Sequence, residues 1–364
     1  MIMDPFEFGS AFRVKIFGSS HGPHIGVEIR GCPAGVKVTA QDIQEQLDRR
    51  RPGQSALTTQ RKEPDIVEIE SGIADGFTTD EPIHMLIRNK DAMSKAYGNL
   101  KDTPRPGHAD FPARIKYPEL DLSGGAFFSG RMTACMVMAG AVAKKMLQKE
   151  GIATMAFLEQ VGKANATGEV TNADIQKNVY SNPVHTATAK DAERMAAEIE
   201  SARIAGDSVG GIVEARITGL PVGTGEPMFG SLESRLSAAM FAIPAVKGVE
   251  FGSGFAGTKM KGSENNDAFA IKDGKIVTKT NNCGGILGGL ATGMPVVFRV
   301  AFKPTPSIAK PQDTVDLATM TQTKIEVGGR HDPCVAVRAV PVVENVAAIC
   351  IADILLQERG EQNG

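Results

Sequence analysis

Three of the six histidines stand in loops bounded by glycine or proline and beside other reactive groups: His21 in GSSHG, His108 in PRPGHAD and His331 in GGRHDPC. An imidazole with its ordinary pKa near 6.5 exchanges protons at neutral pH. Asp110 and Asp332 follow two of these histidines closely enough to orient or assist them. A lone histidine more often only bonds its neighbours, so the argument for chemistry is the shared setting. Arginines are the second signal: Arg49, Arg50 and Arg51 precede Pro52-Gly53, Arg105 precedes His108, Arg131 opens a strong helical stretch and Arg330 adjoins His331. A guanidinium grips carboxylate or phosphate through two parallel hydrogen bonds. The arginine triplet equally suits a solvated helix end, where cations offset the macrodipole. Arg105 and Arg330, beside loop histidines, suit that reading less. Together these groups predict a substrate with several negative charges, held where loops from distant parts of the chain meet.

Two familiar strings fail on their context. Gly18-Ser19-Ser20-His21-Gly22 spells the GxSxG elbow of serine hydrolases, with Ser20 as its nucleophile. An elbow needs strand, sharp turn and helix, whereas Gly22-Pro23 leads into the alternating IGVEIR. Gly252 to Gly257 fits GxGxxG, but the TKMKGSENND that follows has no helical apolar period on which a pyrophosphate could rest. With no GxxxxGK[ST] either, ATP or GTP use is not expected. The stretch CGGILGGLATG at 283–293 still permits close backbone approach to a ligand. Lys303-Pro304-Thr305-Pro306-Ser307 holds a cation and two hydroxyls among prolines, as a rigid turn or as a cradle for a phosphate-bearing cofactor.

A net charge of −2 and a pI near 6.3 provide no field to draw in nucleic acid or an anionic membrane, so an anionic substrate must be met by local arginines. Cys32, Cys135, Cys283, Cys334 and Cys350 are odd in number and show neither a CxxC pair nor a zinc spacing, which predicts free thiols and no metal site. The N-terminal MIMDPFEFGS lacks a basic, then apolar leader, and no apolar run approaches the roughly 18 residues of a membrane helix. A soluble, cytoplasmic protein is expected.

The elements that must position these groups follow from periodicity. Strands are expected at 12–17 and 25–30, the latter with Ile25, Val27 and Ile29 on one face, and at 66–70 and 83–88. Thr39 caps a helix that stops at Pro52-Gly53. Residues 89–126 read as a long irregular stretch, of the kind that usually serves function. A helix at 131–150, apolar on all faces at first, should be central; others are expected at 189–205 behind Thr188, at 232–241 and at 341–358 behind Pro341. Further strands are expected at 211–218, 276–280, 296–302 and 335–340. Strands in runs, without strict βαβ alternation, point to an α+β fold with antiparallel sheets. No repeat, low-complexity tract or linker divides the 364 residues, so one domain is expected.

The motifs FGSSHG, DRRRPGQS, TTQRKEPD, KDTPRPGHAD, AVKGVEFGSGF, CGGILGG, KPTPSI and GRHDPCVAVRAVP occur in an order that resembles the chorismate synthase family, from residue 12 to about residue 356. The resemblance implies a homotetramer whose subunits sandwich helices between antiparallel sheets. It also implies a deep basic cleft in which reduced FMN stacks on 5-enolpyruvylshikimate 3-phosphate. The implied reaction is an anti-1,4-elimination of phosphate and the C6 hydrogen to give chorismate, with no net redox change. His21 and His108 would be the general acids, for the departing phosphate and the reduced flavin, and Asp332 would assist removal of the C6 hydrogen. Ser20, Arg50, Arg105, Ser129, Arg131 and Arg330 would hold the substrate. Ser129, Ala245, Gly288, Lys303, Pro304, Thr305, Pro306, Ser307 and Arg330 match cofactor-binding positions. With no dinucleotide fold or long insertion, an external reductant is expected in place of the NADPH-dependent flavin reduction of bifunctional members. The chain departs from the family pattern at Ser19 and Ala56, at Pro244, and in the flavin stretch, where RSSARET becomes Phe127-Phe128-Ser129-Gly130-Arg131-Met132-Thr133.

Overall fold

Thr39 accepts the Asp42 backbone N–H while the Asp42 carboxylate accepts the Thr39 N–H, a reciprocal cap that starts helix α1 (Ala40–Arg50). The computed structural model describes residues 4–55, 57–59, 63–90, 102–121, 123–328 and 331–362. Its other principal helices are α2 (Asp110–Lys116), α3 (Thr133–Gln148), α4 (Ala189–Ile204), α5 (Leu232–Phe241) and α6 (Ala336–Gln362).

Two five-stranded sheets enclose the central helices. The first contains β1 (Glu7–Phe8), β2 (Arg13–Gly18), β3 (His24–Arg30), β4 (Glu68–Ser71) and β5 (Ile83–Arg88), in the order β1-β2-β3-β5-β4. The second contains β6 (Ala153–Val161), β7 (Ala164–Asn165), β8 (Gly211–Thr218), β9 (Val246–Phe251) and β10 (Val296–Phe302), in the order β9-β10-β8-β6-β7. Every pairing in both is antiparallel. Period-two patterning sets the faces: Val213, Ala215 and Ile217 point inward while Glu214 and Arg216 are part-exposed on the other side. Between the sheets, α3 packs on α6, α1 and β3, and α6 packs on β6 and β8. The α3–α6 approach requires Gly140, where an added Cβ would stand 2.3 Å from that of Asn345. This is the expected α+β arrangement of helices between antiparallel sheets.

Several expectations need correction. Residues 336–340 are the first turns of α6, not a strand, and the helix does not begin at Pro341. Buried on nearly every side, its β-branched run carries no 3.6-residue polar period to betray a helix. Pro341 cannot donate to the Val337 carbonyl, and His185 Nδ1 takes that acceptor at 3.0 Å. The stretch 89–126 contains α2, and β6 and β9 were not anticipated. α6 has the length and composition of a membrane span, yet 94% of its apolar window is buried within the protein. The five cysteines are free thiols.

Candidate active site

At the end of α1 the Arg50 side chain turns inward and is only 2% exposed. Its Nε donates to Thr133 Oγ1 (3.1 Å), Nη1 to Asp65 Oδ2 (3.0 Å) and Nη2 to the Gly130 carbonyl (2.7 Å). Arg131 lies in a short 3-10 turn that Ser129 caps by accepting the Arg131 N–H. Its Nη1 donates to the other oxygen of Asp65 (2.7 Å) and its Nε to Asn89 Oδ1 (2.5 Å). Burial pushes the Asp65 carboxyl up, but Arg50 and Arg131 beside it outweigh that and hold it below its usual value. Burial, together with neighbouring Arg338, lowers Arg50 to about 9, so it stays charged at neutral pH.

Asn89 also donates to the carbonyls of Ser19 (3.1 Å) and Gly22 (2.7 Å), tying the β2–β3 loop to Arg131. In that loop Ser20 is fully buried, with its Oγ 3.1 Å from His21 Nδ1. The loop runs between two antiparallel strands, so the strand–turn–helix of a nucleophile elbow is absent, as its sequence context predicts.

Opposite, Arg105 and His108 converge on Asp110 at the start of α2. Asp110 Oδ2 accepts from Arg105 Nε (2.7 Å), and Oδ1 accepts from Arg105 Nη2 (2.7 Å) and His108 Nδ1 (2.5 Å). Arg105 Nη2 also lies 3.0 Å from His108 Nδ1 and 3.3 Å from Nε2, so with Nδ1–H given to Asp110 the Nε2 atom accepts from this guanidinium or exchanges a proton beside it. Arg105 Nη1 donates to Ser307 Oγ at 3.1 Å, joining the cluster to the KPTPS segment. Lys303 donates to the Gly107 carbonyl, and burial, with Lys247 nearby, lowers its amine pKa. Thr305 Oγ1 is buried without a hydrogen-bond partner among the described residues.

Asp332 forms the third corner. Its Oδ1 accepts the Thr59 N–H (2.8 Å) and its Oδ2 accepts from Arg338 Nη1 (2.7 Å), while Arg338 Nε donates to the Arg50 carbonyl (3.1 Å). His331 stands beside it, its pKa lowered by burial. Aromatic rings line another wall, with Phe127 and Phe128 at 4.7 Å between centroids and Phe6 and Tyr117 packed edge-on against Phe127. Ala245, also at the wall, has a φ of +74°, a strained conformation for a residue with a Cβ.

These groups surround a cavity of about 660 Å³. Of the expected site residues, Arg50, Arg105, His108, Ser129, Arg131, Ala245, Lys303, Thr305, Pro306, Ser307 and Asp332 line it together. Ser20, His21, Pro304 and Gly288 do not; the loop carrying Ser20 and His21 is tied by Asn89 to Arg131, which does line the cavity, and Gly288 belongs to the hairpin Ile286–Ala291. Arg330 lies outside the described residues, as does Ala56. Sequence reasoning passed over Asp65, Asn89, Thr59 and Arg338, although Asp65 and Thr59 both belong to TTQRKEPD.

Fold and cleft define a class: an α+β protein whose two sheets enclose central helices and whose cavity combines fixed arginines with a histidine and a carboxylate suited to acid–base work. The family model described as chorismate synthase matches residues 12–356. The chorismate synthase of Korarchaeum cryptofilum is 52% identical over 351 residues, covering 96% of this chain and 97% of that protein. That of Methanocella arvoryzae is 52% identical over 349 residues, covering 96% and 94%. A crystal structure of chorismate synthase superposes with a TM-score of 0.78 at 27% identity, covering 97% of this chain and 94% of the other. The chain belongs to the chorismate synthase family and is a lyase of aromatic biosynthesis.

Proposed function

We propose that the chain eliminates phosphate and the C6 hydrogen from 5-enolpyruvylshikimate 3-phosphate to give chorismate, using reduced FMN. The observation that carries this reading is the convergence of Arg50, Arg105 and Arg131 with His108 and Asp332 on one cavity. The arginines suit a substrate with one phosphate and two carboxylates. His21, in the loop that Asn89 ties to Arg131, is the acid for the departing phosphate; His108 is the acid for the reduced flavin; Asp332 assists removal of the C6 hydrogen. Because both Asp332 oxygens accept fixed donors, the carboxylate is aimed before substrate arrives.

The cavity also suits the cofactor. Phe127 and Phe128 offer an apolar wall to a planar ring system, and Lys303 with Thr305, whose hydroxyl has no hydrogen-bond partner among the described residues, suits its phosphate; Ser129, Ala245, Pro306 and Ser307 line the same cavity, whereas Pro304 and Arg330 rest on the family resemblance alone. When bound, reduced FMN supplies the electron density that helps expel phosphate and recovers it, so no net redox change results. An external reductant suits a chain whose GxGxxG runs from an antiparallel strand into a short 3-10 turn.

We read residues 1–364 as one cytoplasmic domain, since one cluster of buried apolar side chains runs from Phe12 to Leu355. We also read it as a homotetramer with small-molecule partners only. Phe229 and Met228 are 96% and 83% exposed, and the segment carrying them packs against the hairpin that holds Gly288. Retaining Gly288 as a flavin contact requires a second subunit to bring that hairpin to the cavity.

The test is an anaerobic assay with 5-enolpyruvylshikimate 3-phosphate and chemically reduced FMN, with oxidised FMN as control. Chorismate and phosphate should appear in equal amounts with reduced flavin only. Folded protein that releases neither would sink the proposal.

A further inference from the structure

We propose that Asp65 is the positioning residue that aims Arg50 and Arg131 together into the cavity, setting substrate affinity without touching substrate. This rests on the elimination reading above and extends it to a residue behind the binding groups.

The geometry is that of a bridge. Asp65 gives one carboxylate oxygen to each guanidinium, at 3.0 Å to Arg50 and 2.7 Å to Arg131. Its side chain is 0% exposed and theirs are 2% and 4%. Two guanidiniums so close and so poorly solvated repel, and alone each would turn toward water. One carboxylate between them removes that repulsion and fixes both forks. The backbone at Asp65 is left-handed, with a φ of +49°, a conformation that costs a residue with a Cβ and persists only where contacts over-determine it. The Asp65 carbonyl is itself held by Gln44 Nε2 at 3.2 Å, anchoring the strained residue to α1. Arg131 Nη2 completes the case: it is buried without a hydrogen-bond partner among the described residues, with Glu63 no closer than 3.8 Å. With Asp65 on Nη1 and the buried Glu63 carboxylate beside Nη2, the Arg131 fork is set by fixed carboxylates before any substrate arrives.

A carboxylate engaged equally before and during reaction should alter KM and leave kcat. The test uses the full chain with Asp65→Asn, which keeps the shape and tolerates a left-handed backbone, and Asp65→Gly, which keeps that backbone without strain. In folded variants, KM for 5-enolpyruvylshikimate 3-phosphate should rise at least about tenfold while kcat stays within about threefold. Affinity for reduced FMN without substrate should not change. In an Arg131→Met background the KM penalty of Asp65→Asn should shrink, because the effect passes partly through that arginine. A wild-type KM in either folded variant, a loss confined to kcat, or fully additive penalties would overturn the proposal. So would failure of both variants to fold, which would make the carboxylate a support of the fold. Wild-type protein that releases no phosphate would instead sink the elimination reading itself.

Discussion

His108 Nδ1 and Asp110 Oδ1 meet at 2.5 Å, and Arg105 donates to that same carboxylate oxygen at 2.7 Å. One buried carboxylate thus orients an acid–base group and a substrate-side cation at once, so removing its charge disturbs both. Asp110→Asn should lower kcat by about 10- to 100-fold, within the range of a positioned proton donor, and raise KM as Arg105 loosens. Steady-state kinetics check this, and unchanged parameters would mean that His108 does not depend on its partner.

The same carboxylate has a pH signature. Burial raises its pKa, but the hydrogen bonds from Arg105 and His108 prevail and hold it well below the usual 3.8. A carboxyl so depressed stabilises the fold above its unfolded pKa, and that stability is lost as pH falls towards its folded one. Asp110→Asn should therefore cost about 3 kcal/mol at pH 7, as for breaking a buried pair. In urea titrations the gap to wild type should narrow below about pH 4; a gap constant with pH would contradict it.

Arg338 joins Asp332 to the end of α1, through the carboxylate on one side and the Arg50 carbonyl on the other. On the proposed role of Asp332 in assisting removal of the C6 hydrogen, Asp332→Asn should reduce kcat about 100-fold or more. Arg338→Met should reproduce about a tenfold part of that, and the double variant should fall short of the product of the two. Independent effects would show that Arg338 does not act through Asp332.

Local chemistry made part of this legible and left the rest dark. The cap and the stop of α1 each rest on residues a few positions apart, Thr39 with Asp42 at one end and Pro52 with Gly53 at the other, so sequence reading placed them closely. The onset of α6 is set by burial against both α3 and the second sheet, which a β-branched run cannot announce. His108, Arg105 and Asp332 stood out because their residue types in Pro/Gly loops are chemically conspicuous. Asp65 and Asn89 did not, since each meets Arg131 from 66 and 42 residues away, and Arg338, though six residues from Asp332, has its other anchor in the Arg50 carbonyl 288 residues away.

Phe127 and Phe128, which stand where the resemblance to the family implies arginine and serine, both line the cavity. Phe128→Ser removes apolar area worth about 1.5 kcal/mol, so flavin should bind about tenfold more weakly while the same products form. Unaltered flavin affinity by fluorescence titration would remove these rings from the cofactor wall.

Phe229 and Met228 expose nearly their whole side chains beside the Gly288 hairpin. Charging both, as Met228→Glu with Phe229→Asp, tests the proposed tetramer: the variant should sediment as smaller species than the wild type and bind flavin more weakly. An unchanged assembly would remove Met228 and Phe229 from the subunit interface, and a dissociated form with full flavin affinity would separate Gly288 from the cofactor.

His185 closes the one gap that Pro341 opens in α6, donating Nδ1–H to the Val337 carbonyl at 3.0 Å. Burial pushes its pKa below the usual 6.5 despite that bond, so the folded state holds it neutral while the unfolded chain protonates it first as pH falls. The contribution is therefore complete above about pH 6.5 and is lost as pH drops toward the folded pKa. His331 is shifted the same way by burial, so the comparison belongs in a His331→Gln background, which removes that second lowered imidazole. There, His185→Ala should destabilise the protein by about 1–3 kcal/mol at pH 7.5, the penalty of an unsatisfied buried carbonyl. It should also flatten the decline in stability between about pH 6.5 and 5. An equal slope in both proteins would mean that water replaces the imidazole and that α6 tolerates its proline without help.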